Sequence, residues 1–92
     1  MRQITKIMAD AFFKGETKSL SNTMVQNYEM YLFGNRIAWL YEGKLYFTLC
    51  GWNTQTTRER LAGLDIRISQ KNGEPYWNGS KISDNAIYEM EV

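Results

Sequence analysis

The sequence predicts an α+β fold, a small antiparallel sheet with an N-terminal helix and a short second helix in the order α-β-β-β-α-β-β. Three observations lead there. Apolar residues near the start recur with the period of a helix. The stretch from Thr23 to Cys50 is rich in Tyr, Trp and Thr, types that suit a pleated, half-buried surface. Short pairs containing Gly or Asn then punctuate the chain as hairpin turns do. Ninety-two residues, 43% of them apolar, can close one modest core, so a single domain over 1–92 is expected.

The first helix rests on Ile4, Ile7, Met8, Ala11 and Phe12, an i, i+3, i+4, i+7, i+8 series, with Lys6, Asp10 and Lys14 pointing away. Gly15 stands where a left-handed residue would stop it. The polar stretch Gly15 to Asn22 reads as a surface connection. Val25, Met30, Leu32, Ile37, Leu40, Leu45, Phe47 and Leu49 then supply the core side of a meander. Gly34-Asn35 suits a two-residue type II′ hairpin, and Glu42-Gly43 is a weaker turn signal.

After Gly51, Thr56 and Glu59 have the spacing of a capping box, and Gly63 closes a helix of about two turns anchored by Leu61 and Leu64. Ile66 and Ile68 alternate with Arg67 and Ser69, and Asn72-Gly73 is the strongest hairpin signal in the chain. Pro75 lacks an amide hydrogen, which places the returning strand with Tyr76 and Trp77 at a sheet edge or puts the proline at its start. The run Ala86 to Val92 sets Tyr88, Met90 and Val92 on one face and Glu89 and Glu91 on the other.

Composition excludes more than it assigns. Eleven basic and ten acidic side chains leave a net charge of +1, without the field of an obligate polyanion binder. There is no histidine, which removes Ser/His and Cys/His nucleophilic pairs and the commonest metal ligand. Cys50 is the single cysteine, has no base near it in sequence, and reads as a small buried apolar residue. The carboxylates are dispersed, so neither acid/base catalysis nor a metal cluster is indicated. The chain is expected to be no enzyme and to need no metal or cofactor. A lone cysteine, the lack of a secretory pattern over 1–10, and no apolar run near the roughly 20 residues of a membrane span favour the cytosol and no membrane.

Two groups of residues are candidates for binding. Trp52, Asn53, Thr54, Thr56, Thr57, Arg58 and Arg60 crowd hydroxyls, amides and charge around a helix start, where free backbone N–H groups favour an anion. The same residues are also explained by Thr54 or Thr56 capping the helix, with the arginines paired to Glu59 or Asp65. The run lacks the glycine pattern and lysine of a P-loop, so nucleotide hydrolysis is not indicated. The second group is aromatic: Trp39, Tyr41, Tyr46, Trp52, Tyr76 and Trp77, interleaved with Arg36, Lys44 and Arg67, exceed what one small core buries. Those left outside suit a protein interface or a base-stacking platform, and a homodimer surface would read alike.

Ser21-Asn22-Thr23, Leu32 with Gly34-Asn35-Arg36-Ile37-Ala38, Gly51-Trp52-Asn53-Thr54 with Thr56-Thr57-Arg58-Glu59-Arg60-Leu61, and Asn78-Gly79 together resemble a family of small tailed-bacteriophage proteins. The chain departs from that family's pattern at Phe33, where histidine is common, and at Ala62, where asparagine is common. The resemblance implies a phage origin and no mechanism; a small phage protein without catalytic residues is expected to act in the host cytoplasm by stoichiometric binding. Its expected partner is a host protein, such as a CRISPR effector or another defence component blocked in the manner of an anti-CRISPR. The alternative is a nucleic-acid or nucleotide binder that gathers phosphate with Thr54, Thr56, Thr57, Arg58 and Arg60.

Overall fold

A computed structural model describes residues 2–92. Helix α1 (Gln3–Lys14) leads into β1 (Lys18–Leu20), β2 (Thr23–Gln26), β3 (Glu29–Leu32), β4 (Asn35–Tyr41) and β5 (Lys44–Phe47). Helix α2 (Gln55–Gly63) follows, and then β6 (Ile68–Lys71), β7 (Glu74–Trp77), β8 (Ser80–Lys81) and β9 (Tyr88–Glu91). The α+β class is as expected. Five strands rather than three precede α2, four rather than two follow it, and they form two antiparallel sheets, ordered β1-β2-β3-β4-β5-β9 and β6-β7-β8.

The helical period of α1 buries Met8, Ala11 and Phe12 on one side. Gly15 ends it at φ 71°, where its N–H reaches Phe12 O at 3.2 Å and that of Glu16 reaches Ala11 O at 3.0 Å, the Schellman arrangement. The connection expected from Gly15 to Asn22 contains β1. All three of its residues are exposed, so no apolar alternation marks it in the sequence.

Apart from Ser21-Asn22, where only Ser21 has positive φ, the two sheets turn on two-residue loops with positive φ at both positions, the type I′ geometry whose twist matches paired strands. Asn27-Tyr28, Phe33-Gly34, Glu42-Gly43, Asn72-Gly73 and Asn78-Gly79 all adopt it. The turn expected at Gly34-Asn35 therefore lies one residue earlier, with Phe33 at φ 51° and Leu32 paired to Asn35. The pairing recovers its face through a bulge: Tyr31 opposes Arg36 and Met30 opposes Ala38, which leaves Ile37 as the extra residue. Leu32, Met30, Ile37 and Ala38 all reach the core by this device.

Helix α1 packs on α2, β1 and β2, while α2 also meets β4 and β6. Both helices thus cover one face of the larger sheet. The smaller sheet joins that core through Trp77, whose ring meets Phe47 edge-on at 4.9 Å and lies 6.1 Å from Tyr88. Pro75 is the second residue of β7, the central strand of its sheet. Its carbonyl accepts from Ile82 N at 3.0 Å but it has no N–H to return, and β8 pairing stops at Lys81. Among the described residues no helix is long and apolar enough to cross a membrane.

Candidate functional site

The segment between β5 and α2 is shaped by a tight turn. Cys50 and Gly51 sit at φ 54° and 79°, and Trp52 N donates to Leu49 O at 2.9 Å, which closes the turn and projects the Trp52 ring outward. Trp52 is 60% exposed. Phe33 stands 72% exposed at the neighbouring β3–β4 turn. Between them lies an open groove of about 490 Å³ whose lining includes the otherwise buried Leu32, Ile37 and Leu49. Asn35, Cys50, Thr54 and Thr57 add polar atoms to its wall.

Thr54, not Thr56, is the N-cap of α2: its Oγ1 accepts from Thr57 N at 3.2 Å and lies 2.9 Å from Thr57 Oγ1. The capping box expected at Thr56 and Glu59 does not form, because Thr56 lies within the first turn of the helix, and Glu59 meets Thr5, Arg60 and Arg2 instead. Arg58 Nη1 donates to Asn53 Oδ1 at 2.6 Å and to Asn53 O at 3.2 Å, holding the Trp52 loop against the helix. Asn53 also reaches across to Gly73 O at 3.4 Å.

Arg60 leaves the binding set and follows the alternative reading, paired to Glu59. It is 1% exposed, and its guanidinium donates to Thr23 Oγ1 and Thr5 Oγ1, both at 2.9 Å, to Glu59 Oε1 at 3.1 Å and to Asn22 Oδ1 at 3.5 Å. Thr5 Oγ1 in turn donates to Glu59 Oε1 at 2.8 Å. Burial pulls the Arg60 pKa below the usual arginine value, and Glu59 opposes that pull. The group stays charged, as an arginine does. It ties α1, α2 and β2 together and is enclosed from solvent. Thr57 is likewise buried, Thr56 is half-buried, and Arg58 is occupied by Asn53, so the phosphate-gathering set is dispersed among structural tasks.

The aromatic set divides. Trp77 packs into the core. Trp39 lies on the uncovered face of the larger sheet, where Tyr46 stacks beside it at 5.7 Å with planes 10° apart and the Arg36 guanidinium sits 3.9 Å over its ring. Arg36 also pairs with Glu29 at 2.9 Å. The Trp39 π surface is thus engaged within the sheet rather than offered to a base. Cys50 is only half-buried; its Sγ donates to Arg36 O at 2.9 Å, and burial pushes the thiol pKa up, the opposite of what a nucleophile needs. Phe33, a departure from the family pattern, is not among the binding candidates that the sequence offers, since its exposure follows from the one-residue displacement of the turn.

The model of the Kyanoviridae Gp96 protein family matches residues 1–91. The chain belongs to that family. It is a phage protein family, as the resemblance implies, and the match extends well beyond the segment from Ser21 to Gly79 that carried it. Comparison with curated proteins and with solved structures finds no match.

Proposed function

We propose that this phage protein is a non-enzymatic binder that inhibits a host protein, with the Phe33–Trp52 groove as its contact surface. The carrying observation is the exposure of these two rings on either side of a floor of Leu32, Ile37 and Leu49. Two large rings and their apolar floor, in a chain without strong net charge, have the character of an interface core, where aromatic anchors supply most of the binding energy. The favoured target class is an antiviral defence effector, the mode of an anti-CRISPR, reached in the host cytoplasm.

The nucleotide reading draws less support, because Arg60 is enclosed, Arg58 is bound to Asn53 and the Thr57 amide is already capped. The test is quantitative binding to a host protein recovered with the tagged chain and then purified. One-to-one binding that inhibits that protein is expected, weakened by Phe33→Ala and by Trp52→Ala but unchanged by Tyr41→Ala, an exposed ring elsewhere. Binding indifferent to both groove variants, or preserved only toward nucleotides and lost with added salt, would sink the proposal.

A further inference from the structure

Strand β9 is an edge of the larger sheet, paired on one side with β5. The Glu42-Gly43 turn makes Tyr41 and Lys44 a hydrogen-bonded pair, and bonded and non-bonded pairs alternate from there. Thr48 N donating to Ile37 O at 2.9 Å agrees with that phase. Leu45 and Phe47 consequently direct their backbone groups toward Met90 and Tyr88. Glu89 and Glu91 direct theirs away from the sheet, and neither amide nor carbonyl has a backbone partner among the described residues outside that ladder. Two adjacent donor and acceptor sites therefore stand open along one edge. By contrast β1, at the opposite edge, has only three residues.

The side chains select what pairs there. Glu89 and Glu91 are exposed on the uncovered face; Lys44 is the one cation near them in the adjoining strand, 3.7 Å from Glu89 and opposite Glu91, and the Tyr46 side chain stands opposite Glu89. Antiparallel pairing of β9 with a second copy of itself would set carboxylates against carboxylates, which is unfavourable on a sheet face. A segment with basic side chains at alternate positions meets the reverse situation.

We infer that the β9 edge is a second binding surface, separate from the groove, that receives an extended basic segment of a protein partner by strand addition. Main-chain bonds to Glu89 and Glu91 supply the pairing, and the two carboxylates read alternate Lys or Arg residues. The test uses the whole chain and two end-capped six-residue peptides, one alternating Lys and Val and the other alternating Glu and Val. Addition of the basic peptide, up to about 1 mM, should slow hydrogen exchange at the Glu89 and Glu91 amides, with the acidic peptide bound at least about tenfold more weakly.

Glu91→Pro removes one outward N–H without touching the bonds to β5, and should abolish the protection of Glu89 while the fold is retained. Absence of protection at that concentration, equal binding of the acidic peptide, protection confined to residues around Phe33 and Trp52, or a dimer of the free chain that already protects Glu89 would each overturn the inference. Because the groove variants leave β9 untouched, failure here is distinguishable from failure of the groove reading.

Discussion

Two neighbouring regions of the molecule treat their side chains in opposite ways. At the junction of α1, α2 and β2, a charged arginine is enclosed and satisfied by Thr5, Thr23, Asn22 and Glu59. At the Phe33–Trp52 groove, two large rings are held in solvent. Ordinary partition would reverse both placements. The first inversion is compensated inside the chain: every buried side-chain polar atom among the described residues has a partner. The second has no compensation within the chain, which is the reason to look for it in a partner.

The contrast makes ordered predictions. Arg60→Ala should have the largest effect, because it empties a buried site, removes the donor that the Thr5 and Thr23 hydroxyls accept from, and leaves Glu59 without its closest cation. A loss of about 3 kcal/mol in denaturant unfolding is expected; a loss below 1 kcal/mol would show that the network is dispensable. Trp52→Ala should cost about 2 kcal/mol in binding to the host partner, roughly thirtyfold in Kd by titration calorimetry. Gly63→Ala sharpens the account of the junction. An added Cβ would come within 2.6 Å of Thr5 Cγ2 and 3.2 Å of Thr5 O, so the helices must separate, at a cost of about 1–3 kcal/mol read as a lowered Tm.

Thr54→Ala removes the α2 cap and should cost about 1 kcal/mol by the same measurement. Smallest of all, Phe33→Ala and Trp52→Ala should change unfolding free energy by no more than about 0.5 kcal/mol. A large loss of stability in either would turn the groove back into a structural feature and erase the contrast.

Legibility from sequence follows the same division. Helix α1 was readable because Ile4, Met8, Ala11 and Phe12 repeat at its own period and Gly15 ends it locally. The Glu42-Gly43 and Asn72-Gly73 turns were readable because glycine adopts positive φ without strain. Asn27-Tyr28 was not, since a tyrosine at φ 61° advertises nothing and is held there by the strands on either side. Arg60 resembled a surface cation because its partners lie 37 and 55 residues away, at Thr23 and Thr5. Trp52 belongs to the aromatics that outnumber what the core can bury, without a sign of which ones stay outside, and Phe33 depends on a register that only the bulge at Ile37 explains.

Two-residue turns join β1 through β5 in sequence order, so each of those strands finds its neighbour within a few residues and closes only a short loop. Strand β9 meets β5 only after α2 and the whole of the smaller sheet have intervened. Its entropic cost of closure is the greatest of any strand in that sheet. Folding should therefore proceed as a local zipper from the meander, with the β9 pairing acquired late and surrendered first.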